Sequence, residues 1–226
     1  MIPNPFKVYE FRELVKGVKF SKNDLILDIG CGNGFQTMLI SKKCSQIIGI
    51  DISENAISIA NHRARLTRSS NSAFICTNIE ESGLPDNSFD KVFSICVLEH
   101  IKNYVSTLRE AYRVLKPNGQ FICSVDSLES FMWDESIVKK HRESYSVEHY
   151  FGRGGLEDTL KQIGFSRIEI YPILRSYFAR NLFARGITNG FHYNYVQSIL
   201  GYFLLKREEK NPSFHKGIFL VARCSK

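Results

Sequence analysis

The run Leu25-Ile26-Leu27-Asp28-Ile29 passes without a break into Gly30-Cys31-Gly32-Asn33-Gly34. Its aliphatic residues read as a short buried strand, and the alternating glycines that follow end it in a turn. A buried strand closed by such a turn opens an α/β sheet, in which the chain reverses at the strand's carboxyl end and returns through a helix. The rest of the chain keeps that rhythm. Ile47–Asp51, Ala73–Thr77, Asp90–Val97 and Gln120–Val125 read as strands. Glu54–Leu66 and Val105–Leu115 read as helices, the first with Ser53 as N-cap and the second ended by Pro117-Asn118-Gly119. An amphipathic helix over residues 6–17 precedes them. A helix at Leu156–Ile163, a strand at Phe165–Tyr171 and a last strand at Gly217–Arg223 follow. The pattern predicts a mostly parallel sheet with helices on both faces, and it directs the search for chemistry to the loops after the strands.

A chain of 226 residues with 43% hydrophobic side chains can bury one large α/β core. We expect a single domain over 1–226, with a ligand-binding core at about 20–125. Residues 126–152 and 172–212 should form a lid or insertion, because the strand–helix rhythm loosens there. Met1-Ile2-Pro3-Asn4-Pro5 does not begin a secretory leader, and no window reaches the roughly 18 apolar residues of a spanning helix, so the expectation is a cytoplasmic protein. The six cysteines are scattered with no C-x-x-C pair, which argues against a disulfide framework or a metal site. The net charge of +7 is uneven. The last 56 residues hold nine Lys/Arg against two Asp/Glu, while the preceding 170 balance 21 against 21. That basic segment also contains 11 of the 28 aromatic residues, so it could meet nucleic acid, an anionic membrane surface or an acidic substrate, or simply surround an aromatic core.

The neighbours of the glycine turn decide what it can bind. A dinucleotide fingerprint, G-x-G-x-x-G, requires glycine where Phe35 stands. Asp28, two residues before the first glycine, would sit badly beside a pyrophosphate and well beside an ammonium or sulfonium. No G-K-[ST] follows, which excludes the phosphate loop of an ATPase. Asp51, at the end of the next strand, can accept both hydroxyls of a ribose. Taken together these features favour an adenosyl amino acid over a nicotinamide dinucleotide.

The chain resembles the class I S-adenosylmethionine-dependent methyltransferases, and more closely the type 11/type 12 small-molecule group. The residues that carry the likeness are Leu25 through Gly34, then Gly49-Ile50-Asp51-Ile52-Ser53 and Leu84-Pro85-Asp86-Asn87-Ser88-Phe89-Asp90. Val97-Leu98-Glu99-His100-Ile101 and Arg113-Val114-Leu115-Lys116-Pro117-Asn118-Gly119 complete the set. The resemblance implies a Rossmann-like seven-stranded sheet whose last strand is antiparallel, and S-adenosyl-L-methionine as methyl donor. It implies that Asp28 and the turn at Gly30, Cys31, Gly32 and Gly34 hold the methionine end. Asp51 would take the ribose, Ile52 would pack on adenine, and Asn78 and Ile79 would flank the adenine edge. Cys96 and Val97 would lie beneath the sulfonium, with His100 near the mouth of the acceptor pocket.

Methyl transfer from a sulfonium needs alignment first, and a base only when the acceptor must lose a proton. Candidate bases are His100 and His149, with His141 and Tyr145 behind them; His62 and His215 read as inert. The absence of a [DN]-P-P-[YFW] motif and of a Pro-Cys nucleophile argues against DNA, and RNA is disfavoured. A small-molecule or lipid-like acceptor remains. Tyr177, Phe178, Leu182 and Phe183, interleaved with Arg175, Arg180 and Arg185, and the apolar run Val196–Leu205 suit a lid over an apolar substrate. The same segment could instead pack on the sheet, form a homodimer face or touch a membrane. Two other readings stay open: a non-catalytic cofactor-binding partner subunit, and an RNA or protein methyltransferase that uses the basic C-terminal segment.

Overall fold

The computed structural model describes residues 4–131 and 134–226. Met1, Ile2 and Pro3 of the leader argument, and positions 132 and 133 of the expected lid, lie outside the described residues. The order of elements is α1 (Pro5–Val15), β1 (Leu25–Ile29), α2 (Phe35–Ser41), β2 (Gln46–Asp51), α3 (Glu54–Leu66), β3 (Ser72–Cys76) and β4 (Phe89–Ile95). Then come α4 (Tyr104–Val114), β5 (Leu115–Asp126), α5 (Glu135–Tyr145), α6 (Arg153–Ile163), β6 (Ser166–Ile173), α7 (Tyr177–Asn189), α8 (Tyr195–Glu208) and β7 (Phe219–Ser225). Short 3-10 turns lie at Leu98–His100 and Glu129–Phe131.

The seven strands form one sheet in the order β3-β2-β1-β4-β5-β7-β6. β1 to β5 run parallel, and β7 is antiparallel to both of its neighbours, β5 and β6. Strand order reverses at β1, which lies between β2 and β4, and this opens a crevice at their carboxyl ends. The period of two along each strand sends neighbouring residues to opposite faces. Leu27, Val92 and Phe121 join Leu108 of α4 and Leu156 and Leu160 of α6 on one side. Ile26, Phe93 and Ile122 meet Leu14 of α1 and Ile40 of α2 on the other. The central strands β1, β4 and β5 thus read as largely apolar because both of their faces are covered, whereas the edge strands β3 and β6 are partly exposed.

Several local expectations shift. β4 stops at Ile95 rather than running to residue 97, because Cys96 takes φ +51, a conformation that no strand continues. Pro117-Asn118-Gly119 does not separate α4 from a later strand. It forms an irregularity inside β5, where the pairing jumps from Phe89–Leu115 to Lys91–Gln120 and Asn118 takes φ +63. The helix directly after the glycine turn, left without bounds by the sequence pattern, is α2 at Phe35–Ser41. The 126–152 segment contains α5, capped by the Asp134 side chain on the Ile137 amide. α8 runs on to Glu208, so the charged stretch from Lys206 begins inside a helix.

The insertion between β6 and β7 builds a third apolar layer. Phe183 of α7 meets Phe6 of α1 edge-on at 5.2 Å between ring centroids, and Phe219 of β7 at 5.7 Å. Tyr202 and Leu205 of α8 close the same cluster over Tyr9. Several cations of the basic segment are used internally. Arg175 pairs with Glu209, Arg223 hydrogen-bonds Tyr171 and the Glu13 carbonyl, and Arg180 is buried against Phe131. The segment is therefore less of a free cationic surface than its charge count suggests, and the RNA reading loses support.

Candidate active site

β1 delivers the chain into the turn with Gly30, Gly32 and Gly34 at φ +69, +51 and +73. The amides of Gly30 and Cys31 both donate to the Ile50 carbonyl at 2.8 and 3.0 Å, which ties the turn to β2. Gly30 cannot carry a side chain: a Cβ there would lie 2.3 and 2.6 Å from the two methyl carbons of Val97. Asp51 fastens the turn from its other side. One carboxylate oxygen accepts the Gly32 amide at 2.8 Å and the other accepts the Ser53 amide at 2.9 Å. A carboxylate has about four acceptor positions, so two remain beyond these backbone donors.

The crevice at the strand-order reversal holds a cavity of about 720 Å³. Its walls include Gly30, Asp51, Ile52, Asn78, Ile79, Cys96, Val97 and His100, so eight positions singled out from sequence come together. Ile52 is 77% exposed, a large aliphatic side chain left uncovered beside the cavity. The Asn78 side-chain oxygen accepts the Glu81 amide at 2.7 Å, which shapes the far wall. Lys102, Asn103, Ser106 and Thr107 complete the rim, and sequence reading missed them because they come from the loop and first turn of α4.

Asp28, Cys31, Gly32 and Gly34 lie behind this wall rather than on it. Asp28 is buried and accepts the Thr37 hydroxyl at 2.5 Å; burial, with the negative charge of Asp51, raises its carboxyl to about 7. Cys31 is also buried, and burial pushes its thiol far up. The two histidines separate. His100 is exposed on the cavity wall, its Nδ1 3.3 Å from the Ser146 carbonyl. His149 stands outside that wall: its Nε2 lies 3.0 Å from the Lys102 carbonyl, and its ring packs edge-on against Tyr104 at 5.0 Å.

Behind Cys96 is a buried acidic group that the sequence reading did not assemble. The Cys96 thiol donates to Glu10 at 2.7 Å, and the Ser124 hydroxyl donates to the same oxygen at 2.6 Å. Glu10, Glu99 and Asp126 are all buried, and Lys7 approaches the second Glu10 oxygen at 3.1 Å. His141 connects Asp126, 3.6 Å from its Nε2, to the Tyr150 hydroxyl, 3.0 Å from its Nδ1. Burial holds that imidazole neutral, with its pKa lowered to about 4. Burial also raises the Asp126 carboxyl to about 7 and pushes Glu99, beside the Asp126 charge, well above the carboxylate range. The Cys96 sulfur and the oxygens of Glu99 and Asp126 lie within 4.8 Å of one another, close enough to ligate a metal. The thiol, however, is engaged as a donor and pushed toward its protonated form, so the group fits shared protons better. Available signals were the carboxylates at Glu99 and at the end of β5. The contribution of α1 had none, because Glu10 comes from more than a hundred residues away from Ser124.

These shifts fix the sign of a pH effect. Unfolded, such carboxyls lose their protons near pH 4. In the native state Asp28 and Asp126 hold them to about 7. Stability should therefore fall as pH rises between those limits, by about 1.4 kcal/mol per pH unit for each group while the native state keeps the extra proton. Glu99→Gln, which cannot ionise, should flatten the decline, and urea unfolding at pH 5 and pH 8 measures it. An unchanged slope would mean that Glu99 does not titrate in this range.

The sheet order, the crevice at its reversal and the glycine turn tied to Asp51 define an α/β protein of the Rossmann-like class. The family model for the methyltransferase domain matches residues 20–172, and the chain belongs to that family. A demethylmenaquinone methyltransferase of Listeria welshimeri is 32% identical over 115 residues, which is 50% of this chain and 49% of that protein. The chain thus matches about half the length of the curated relatives it is similar to. The crystal structure of the YcgJ protein from Bacillus subtilis superposes with a TM-score of 0.70 at 18% identity, covering 97% of this chain and 98% of that one. The Haemonchus contortus phosphoethanolamine N-methyltransferase 2, solved in complex with S-adenosyl-L-methionine, gives 0.69 at 20% identity over 98% of this chain and 52% of that one. At these identities the two structures speak for the fold.

Proposed function

We propose that the chain is an S-adenosylmethionine-dependent methyltransferase acting on a small or lipid-like acceptor. The observation that carries this reading is the convergence of Gly30, Asp51, Ile52 and Asn78 around one cavity at the strand-order reversal. When bound there, the cofactor supplies a methyl group activated by a sulfonium, which passes to the acceptor as the carbon–sulfur bond breaks. The residues fit that group. Gly30 leaves the turn open to close approach, Asp51 offers two acceptor positions to a ribose, and Ile52 offers an uncovered aliphatic face to adenine. Asp28, behind the turn, would return to its ionised form beside a positively charged ligand end.

His100 is the base this reading favours, because it alone of the two expected histidines lines the cavity. His149, against the Lys102 carbonyl, would position the loop that carries the rim. A cytoplasmic location accords with this assignment. Among the described residues no helix is long and apolar enough to cross a membrane.

Calorimetric titration with S-adenosylhomocysteine tests the core of the proposal: absence of binding to the folded protein ends it. Transfer of labelled methyl groups into a cell extract, separated into aqueous and lipid fractions, then identifies the acceptor class. With a proton-bearing acceptor, His100→Ala should slow transfer by about 100-fold or more while leaving S-adenosylhomocysteine affinity unchanged. His149→Ala should lower the rate far less, through the rim loop it holds.

A further inference from the structure

α8 is built the wrong way round for a soluble surface helix. Its inward residues are Ser198, Gly201, Tyr202 and Leu205, with Gly201 seated on Pro5 of α1. Its outward residues are Tyr195, Val196, Ile199, Leu200, Phe203 and Leu204. They recur at the three-to-four spacing of one helical face, and Tyr195, Val196, Leu200 and Phe203 are 57–65% exposed. Isolated exposed apolar residues are ordinary, whereas six on one helix face form a patch that marks an interaction surface.

The charge pattern selects the occupant. From Tyr171 to Arg207 the sequence has no acidic residue, and the cations Arg185, Lys206 and Arg207 stand exposed, followed by Lys210. Glu208 pairs with Arg207 and Glu209 with Arg175, which leaves Lys206 and Lys210 to set the sign at the end of the helix. A second copy meeting this face by a two-fold axis would bring like charges toward each other. An anionic bilayer meets the same pattern with opposite charge, and an apolar face bordered by cations is how a helix lies in a membrane interface. At 14 residues α8 is about 21 Å long, suited to lying flat and too short to span.

We infer that the outward face of α8 docks the protein on an anionic lipid surface, and this rests on the methyltransferase reading for its purpose. α8 packs on α1 through Tyr202 against Tyr9, and α1 carries Glu10 to the acidic group behind Cys96. The docked face is thus linked to the carboxyl end of β4 through α8 itself and α1.

The test is flotation with vesicles of phosphatidylcholine alone and of phosphatidylcholine with phosphatidylglycerol. The protein should float with the anionic vesicles and little with the neutral ones. Leu200→Glu combined with Phe203→Glu should weaken that association by about tenfold or more, with S-adenosylhomocysteine titration and thermal unfolding unchanged. Lys206→Glu combined with Lys210→Glu should weaken it more gently, and added salt should do the same. Failure to float, or equal flotation by the Leu200/Phe203 variant, overturns the inference. A concentration-dependent dimer in sedimentation velocity that the Leu200/Phe203 variant abolishes would also overturn it, by giving the face to a second copy. Loss of S-adenosylhomocysteine binding in the unmodified protein would instead strike the methyltransferase reading.

Discussion

Gly30→Val should abolish detectable S-adenosylhomocysteine binding while leaving a protein that still folds at low temperature. Two costs coincide at this position. A β-branched residue at φ +69 must hold a left-handed conformation, worth about 1–2 kcal/mol. Its Cβ would also overlap the Val97 side chain, whose methyl carbons would be 2.3 and 2.6 Å away, and overpacking of this kind costs about 1–3 kcal/mol. The sum is a large part of a typical domain's stability. The turn would relieve it by shifting against Val97, which distorts the cavity wall that both residues form. Gly83→Ala is the control: Gly83 also has φ +61 but nothing lies within 4 Å of its Cβ position. It should lose a little stability and keep full ligand affinity, both read by thermal unfolding with and without S-adenosylhomocysteine. Equal behaviour of the two variants would mean that the contact with Val97 does not shape the site.

Asp51→Ala should weaken S-adenosylhomocysteine binding by about 100-fold or more, near 2.7 kcal/mol. The carboxylate acts twice. It holds the amides of Gly32 and Ser53, and hydrogen bonds to a charged group are worth about 1.5–3 kcal/mol each. On the proposed reading it also receives the ribose hydroxyls. Asp51→Asn should fall between, since its amide oxygen can keep one backbone donor while its NH2 group faces the other. Calorimetry separates the three proteins. If Asp51→Ala binds as well as the parent, the assignment of this end of the cavity to a ribose fails.

Much of the sheet was legible because its central strands are apolar on both faces and end in polar or glycine-rich turns. Glu54–Leu66 could be bounded from sequence alone, since Ser53 caps one end and Arg63 and Arg65 suit the other. β4 could not, because nothing in the letters announces that Cys96 turns out of the strand at positive φ. The bounds of α2 were hidden by its glycine-rich N-terminus, where Gly34 precedes the first helical residue without a side-chain cap. His100 and His149 looked equivalent as polar residues in loops. The packing of Tyr104 and Phe151 around His149 separates them.

The sequence by itself determined the parallel sheet, the place of the glycine turn and the carboxylate at the end of the next strand, because strand period, turn chemistry and short-range order are local properties. Tertiary structure alone decided three other matters. It drew Glu10, Glu99, Asp126 and His141 into one buried group, where burial raises the proton affinity of Glu99 and Asp126 and lowers that of His141. It spent Arg175, Arg180 and Arg223 internally, which a charge count cannot reveal. It turned the small face of α8 inward and the large apolar face outward, a choice made by the close fit of Gly201 on Pro5 and invisible in a helix that is apolar on both sides.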